Sequence, residues 1–260
     1  MTGRALVTGA GSRLGRDMAI HLGQRGFDVA VHYAGNADGA EETAAAIRAT
    51  GAQAVVLQAD LVELDAAEAL LPRAAAALDG PITCLVNNAS IFEYDNIRTA
   101  TRDSWTRHIN SNLHAPFLLT QAMAAQGLEP ETDANGEPLA PGLIVNMIDQ
   151  RVRKLTPEFM TYTLAKTGLW TLTQTSARAL APAIRVNAIG PGPTLKGARQ
   201  SESHFAAQRS ATVLERGANP SEITRTLGYF LDSPGVTGQL ICVDGGQHLA
   251  WRTPDIQGPE

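Results

Sequence analysis

The sequence predicts a single α/β domain built as a doubly wound parallel sheet with helices on both faces. Three observations predict it. A short apolar strand at residues 4–8 runs straight into the turn Thr8-Gly9-Ala10-Gly11-Ser12-Arg13-Leu14-Gly15, and a helical pattern follows. Seven strand-like stretches alternate with helical ones up to residue 243, on the short connections typical of right-handed parallel crossovers. Gly9, Asp60, Asn87 and Asp149 all fall at carboxyl ends of strands, where sheets of this kind bind ligands.

Composition narrows the classes. The chain has 260 residues, 44% of them apolar, with no internal repeat and no second pattern, so residues 1–250 are expected to form one domain followed by a tail at 251–260. Aromatics are only 5%, which requires an aliphatic, alanine-rich core. A net charge of −5 gives no footprint for nucleic acid or an anionic membrane surface. No apolar run approaches the ~18 residues of a membrane span, and the N-terminus lacks a signal-peptide pattern. Cys84 and Cys242 sit in separate strands as small hydrophobes, consistent with a reducing cytoplasm. The six histidines lack ligand spacing, so no structural metal is expected.

Taken in order, the first helix carries Leu14, Met18, Ala19 and Leu22 on one face and ends at Gly26. Glycines before it let backbone approach a pyrophosphate, and its N-terminus offers free N–H groups. Arg13 in the first turn opposes the helix dipole at a cost of about 0.3–1 kcal/mol, which a facing phosphate offsets. The second strand, 28–33, ends at His32-Tyr33 without the acidic residue that would hold ribose hydroxyls. Arg13, with His32, therefore points to a 2′-phosphate and NADP(H); His32 is alternatively a surface residue at a strand end. Residues 41–50 read as a helix, 54–58 as a strand leading to Asp60-Leu61, 63–78 as an alanine-rich helix and 82–87 as a strand.

One helix is expected over 102–126, with Asn110 and Asn112 inside it, either facing solvent or bending the helix. Residues 127–142, with Pro130, Pro138 and Pro141, read as an exposed loop. Strand 143–148 delivers Asp149. Thr156 and Pro157 supply an N-cap and first-turn proline for a central helix reaching residue 181. Strand 184–189, the turn Gly190-Pro191-Gly192, a weakly patterned lid-like stretch at 195–216, a helix opening on Asn219-Pro220-Ser221-Glu222 and a last strand at 239–243 complete the pattern.

The chemistry gathers between residues 149 and 166. Tyr162 and Lys166 lie four residues apart and share a helix face. A phenol titrates near ~10; a neighbouring ammonium is expected to lower that and let the hydroxyl exchange a proton with substrate. By itself the pair is weak evidence, since Tyr-x-x-x-Lys far more often marks an exposed helix pair.

Thr8-Gly9 with Gly15, Asn87-Asn88-Ala89, Tyr162-x-x-x-Lys166, Gly190-Pro191-Gly192 and Asp244-Gly245-Gly246 occur together and in this order. Over essentially its whole length the chain thereby resembles the short-chain dehydrogenase/reductase family. The resemblance implies a Rossmann-type domain, usually a homotetramer, that passes hydride to or from a nicotinamide. It implies Gly9, Leu14, Leu61, Pro191 and Gly192 along the cofactor, Asp60 at the adenine and Asn88 and Ala89 in the cleft. Asn112 is expected to hold a proton-relay water, and Lys166 to bind the nicotinamide ribose.

Three residues depart from the general family pattern. Arg13 replaces a glycine of the phosphate loop, Ser90 the last glycine of Asn-Asn-Ala-Gly, and Asp149 the serine thirteen positions before the tyrosine. Together with Phe92 they resemble the pteridine reductases and their bacterial dihydromonapterin reductase relatives, in which an aromatic stacks on the pterin. A carboxylate only accepts hydrogen bonds and repels a developing alkoxide, whereas a pterin takes a proton at ring nitrogen. The expectation is an NADPH-dependent reductase of a pteridine-type C=N bond, with Asp149, Tyr162, Lys166 and Asn112 catalytic and Ser90 and Phe92 at the substrate. An ordinary carbonyl reductase and a non-catalytic dinucleotide-binding regulator are the alternatives. For single residues the plain readings are Phe92 as core, Ser90 as a turn residue, and Asp149 in a salt bridge to Arg151 or Arg153.

Overall fold

Each strand of the central sheet carries apolar side chains on both faces, which fixes the layering. The computed structural model describes residues 3–197 and 200–251. Its sheet is formed by β1 (Gly3–Val7), β2 (Phe27–Tyr33), β3 (Ala54–Gln58), β4 (Cys84–Asn87), β5 (Gly142–Met147), β6 (Ile184–Pro191) and β7 (Leu240–Val243). All pairings are parallel, in the spatial order β3-β2-β1-β4-β5-β6-β7. In β1, Ala5 and Val7 enter one core with Met18, Leu22, Phe27 and Phe230, while Leu6 enters the other with Leu70, Leu85, Leu119 and Ile144. Burial on both faces is the reason these strands read as continuous apolar runs. The strand order reverses between β1 and β4, and a crevice opens beyond their carboxyl ends.

The helices are α1 (Arg13–Gln24), α2 (Ala37–Arg48), α3 (Leu64–Ala77), α4 (Arg102–Ile109), α5 (Ala115–Ala125), α6 (Met160–Ala179), α7 (Glu202–Ser210) and α8 (Pro220–Asp232). Several differ from the expected bounds, each for a visible reason. α2 starts four residues early because the Asn36 side chain accepts the Gly39 N–H at 3.2 Å and caps it. The single helix expected over 102–126 is interrupted by a π-helical turn, Asn110–His114, between α4 and α5. The expected loop at 127–142 holds a small antiparallel hairpin, Glu131–Thr132 with Pro138–Leu139. α7 lies inside the stretch read as a lid, capped by Ser201, whose hydroxyl accepts the His204 N–H at 3.1 Å. Of the tail at 251–260, only Trp251 is among the described residues.

The start of α6 matters most, because it carries Tyr162. Thr156 and Pro157 precede the helix and do not cap it; Thr156 Oγ1 instead accepts from Arg151 Nη1 at 2.6 Å. Phe159 turns the chain through a left-handed conformation with φ 54°. The Asp95 carboxylate then accepts the Thr161 N–H at 3.1 Å and takes the place of a local cap. By contrast the proline and acid at the start of α8 behave as read: Glu222 Oε2 accepts the Asn219 N–H at 2.7 Å.

Among the described residues, no helix is long and apolar enough to cross a membrane, and no three His, Cys, Asp or Glu side chains are gathered to hold a metal.

Gly15 joins α1 to the crevice through close backbone approach. A Cβ at Gly15 would lie 2.2 Å from the Gly9 carbonyl oxygen and 2.5 Å from Asn88 Nδ2. Gly15→Ala is therefore expected to destabilise the domain by about 1–3 kcal/mol through overpacking, read as a lowered urea midpoint. An unchanged midpoint would show that this contact yields at no cost.

Candidate active site

The crevice is shaped first by the residues at the ends of β1 and β4. Thr8 Oγ1 accepts the N–H groups of Asn88 and Ala89, each at 2.9 Å. Asn88 Nδ2 donates back to the carbonyl oxygens of Thr8 (2.9 Å) and Gly9 (3.2 Å). Gly9, at φ +64°, donates its N–H to His32 Nδ1 at 3.0 Å. Because Nδ1 accepts, Nε2 carries the ring proton and donates to the Ala59 carbonyl at 3.0 Å. His32 is thus neither a surface residue nor a free cation. It is buried with both nitrogens engaged, and burial pushes its pKa down to about 4.

A cavity of about 450 Å³ opens above this turn. It is lined from α1 and its approach by Gly9, Arg13 and Leu14, and from β2 by His32. The turn after β3 adds Asp60 and Leu61, and the turn after β4 adds Asn88, Ala89 and Ser90. Ser12, Arg107 and Ser111 also line it, though their sequence context gave no signal. The chamber fits a dinucleotide: Gly9 and Gly15, where a Cβ would strike Ala89, Asn88 or the Gly9 carbonyl, let α1 close tightly on the ends of β1 and β4, and the first turn of α1 turns its positive dipole end to the cavity.

Arg13 opens the first turn of α1, as expected. It sits at φ 52°, a left-handed conformation that favours glycine. Its guanidinium donates to the carbonyl oxygens of Leu195 (3.2 Å) and Lys196 (3.0 Å) and lines both this cavity and the next.

The second cavity, about 280 Å³, shares Arg13, Leu14, Asn88 and Ser90 with the first. Phe92, Asp149, Tyr162 and Lys166 meet there with Pro191 and Gly192, joined by Met147, Thr194 and Leu195, which the motif pattern did not single out. Tyr162 Oη donates to Asp149 Oδ2 at 3.1 Å, and the Arg151 backbone N–H donates to Asp149 Oδ1 at 2.8 Å. The salt-bridge reading of Asp149 fails: the Arg151 guanidinium binds Thr156 and lies 5.0 Å from the Phe159 ring centroid, and that of Arg153 lies over Trp170 at 5.6 Å. Burial raises the Asp149 carboxyl above the usual range, with its hydrogen bonds and nearby cations opposing.

Lys166 does not tune Tyr162 as expected. Its Nζ donates to the Met147 carbonyl at 2.7 Å and stands 5.7 Å from the centre of the phenol ring. Burial, then the adjoining Asp149, push the phenol well above its ordinary pKa; Arg151 and Ser90 pull the other way. Burial in turn lowers Lys166 to about 8, against the pull of Asp149. In the ligand-free site Tyr162 therefore keeps its proton and donates it to Asp149.

Asn112 is also placed differently. Its buried amide accepts the Ile91 N–H (2.9 Å) and donates to the Ile91 carbonyl (2.8 Å), so its side chain clamps the loop beyond β4. Asn110 ties the same π turn to the Val62 carbonyl at 3.0 Å. Phe92 is not core: it is 45% exposed, stacks on Phe159 at 4.3 Å and meets Tyr162 edge-on at 4.7 Å. Ser90 is an exposed turn residue facing both cavities.

His32 makes the stability of this site depend on pH. A histidine near 6.5 when unfolded and about 4 when folded binds its proton first in the unfolded chain. Its contribution is complete above pH ~6.5 and is lost as pH falls towards ~4, by on the order of 3 kcal/mol. His32→Gln is expected to flatten the fall in urea-unfolding free energy across that window; an unchanged slope would assign the acid sensitivity to other groups.

Known proteins give the same outline. The family model described as enoyl-(acyl carrier protein) reductase matches residues 9–248. A 3-oxoacyl-[acyl-carrier-protein] reductase FabG of Staphylococcus aureus is 30% identical over 96% of this chain and 99% of its own. The FolM alternative dihydrofolate reductase 1 of Brucella canis, solved with NADP, is 44% identical over 98% of this chain and 97% of its own, with a TM-score of 0.89. Its Brucella suis counterpart, also with NADP, is 43% identical over 98% of each chain at the same TM-score of 0.89. With its Rossmann-type sheet and the family model covering nearly all of it, the chain belongs to the short-chain dehydrogenase/reductase family of oxidoreductases.

Proposed function

We propose that the protein is an NADPH-dependent reductase of a pteridine-type C=N heterocycle. The observation that carries this reading is Asp149: a carboxyl freed from ion pairing, raised by burial and hydrogen-bonded to the Tyr162 phenol at the cavity wall. The two Brucella proteins described as dihydrofolate reductases support it at 44% and 43% identity. When bound, the nicotinamide supplies hydride to the carbon of the C=N bond. Tyr162 and Asp149 hold one proton between them and pass it to the adjacent ring nitrogen, and solvent restores it. Phe92 offers a half-exposed ring for a flat heterocycle to lie against, and the Ser90 hydroxyl stands beside it. Lys166 holds the Met147 carbonyl, which fixes the end of β5 from which Asp149 projects. Arg13 supplies positive charge for a 2′-phosphate; His32 shapes the turn and carries no charge at neutral pH.

An ordinary carbonyl reductase is the second reading, favoured by the 3-oxoacyl reductase at 30% identity. The two are separated by following NADPH consumption with dihydrobiopterin, dihydromonapterin and dihydrofolate beside a simple ketone and a β-ketoacyl thioester. Turnover confined to the heterocycles is expected. Asp149→Ser is expected to lower heterocycle turnover by roughly a hundredfold or more and to leave or improve any ketone reduction. Turnover of the ketone or thioester alone would establish the second reading.

Arg13→Gly is expected to lower the preference for NADPH over NADH by about tenfold to a hundredfold, the worth of a charge-assisted hydrogen bond. Glycine suits the backbone at this position, so a folding defect is not expected. Equal preference in variant and parent would remove Arg13 from cofactor choice.

A further inference from the structure

A buried polar chain that none of the steps above uses links the loop beyond β4 to the first turn of α6. Asp95 lies in that loop, His108 in α4 and Thr161 in α6, and they are 2%, 0% and 2% exposed. Asp95 accepts at both oxygens: Oδ1 from the Thr161 N–H at 3.1 Å, Oδ2 from the Thr161 hydroxyl at 2.5 Å and from Ser104 Oγ at 3.1 Å. Burial would raise this carboxyl, but its hydrogen bonds to Thr161 and Ser104 outweigh that and hold it ionised below its usual range.

The hydroxyl of Thr161 has a single proton, and it goes to Asp95. His108 Nδ1, 2.6 Å from the same oxygen, must therefore be the donor. Nε2 is left as an acceptor, and the Glu93 backbone N–H donates to it at 3.1 Å. Burial pushes His108 towards the neutral form that this arrangement requires, against the pull of Asp95 and Glu93. One end of the chain is thus adjacent in sequence to Phe92 and the other to Tyr162. The imidazole itself meets the Tyr162 ring edge-on at 6.1 Å, and Phe92 stands 4.7 Å from that ring.

We propose that His108 is a positioning residue for the reaction. As a neutral Nδ1–H tautomer it couples the Asp95–Thr161 cap of α6 to the Glu93 backbone, and so sets the spacing of Phe92 and Tyr162 across the substrate cavity. The inference rests on a reductase site at Tyr162, but not on a heterocyclic substrate. It is read with whichever compound of the panel the enzyme reduces.

The two ends of the chain are separable by substitution. His108→Asn keeps a donor near Thr161 and removes the acceptor for Glu93; a KM raised about tenfold, one buried hydrogen bond's worth, with kcat little changed, is expected. His108→Gln keeps an acceptor near Glu93 and removes the donor; a comparable fall in kcat at near-constant KM is expected. NADPH affinity, by fluorescence titration, should be unchanged in both. Thr161→Ser should retain kcat and Thr161→Val lose about tenfold, which carries the test if the histidine variants unfold. Parallel losses of kcat, KM and NADPH affinity that track thermal stability would overturn the proposal, as would equal kcat in the two Thr161 variants. The ring-nitrogen NMR shifts of His108 in the ligand-free protein give a reading free of turnover. An Nε2–H tautomer there would overturn the proposal even if no substrate is reduced, whereas absent turnover with the Nδ1–H tautomer in place would count against the function proposed for the site alone.

Discussion

The close pinning of β1 to β4 at their carboxyl ends is the constraint on which the rest depends. Thr8 and Asn88 exchange four hydrogen bonds across this junction, counting the Ala89 N–H and the Gly9 carbonyl. They tie together the roots of two turns that diverge because the strand order reverses here. The crevice is thus a property of topology, and side chains only decide what it accepts. Gly9 and Gly15 let the backbones of these turns pack closely beneath it, and Arg13 stands where the two cavities meet.

Beyond that junction, the reactive pair is arranged by burial more than by charge pairing. Tyr162, Asp149 and Lys166 are drawn from β5 and α6 into one small space, and desolvation moves all three towards their neutral forms. A proton moved from phenol to carboxylate relocates one negative charge and creates no second ion. A hydroxyl in place of Asp149 would leave Tyr162 without its acidic neighbour. Under the proposed function, this is the physical sense in which that carboxyl would redirect the chemistry.

Most of the fold was legible because a parallel sheet buried on both faces writes each strand as an unbroken apolar run, and the turns after β1, β4, β6 and β7 carry their own glycines and asparagines. What was not legible depends on partners distant in sequence. The start of α6 was misplaced because its cap, Asp95, lies 66 residues from Thr161. The π turn follows from Asn112 bonding to Ile91, a contact between segments 21 residues apart. His32 reads as a strand-end residue until the turn after β3 covers it with Ala59. Lys166 and Tyr162 were paired correctly by helical spacing, yet spacing says nothing of burial, and burial decided their acidities.

His32, Thr8 and Asn88 shape the phosphate turn without a single formal charge among them at neutral pH. Under the proposed function recognition is thereby divided: geometry comes from uncharged hydrogen bonds, attraction from the Arg13 guanidinium. Added electrolyte weakens only the second of these. The contour of the cradle thus persists at ionic strengths that dull its pull, and a dinucleotide arriving slowly in concentrated salt would still meet a finished mould.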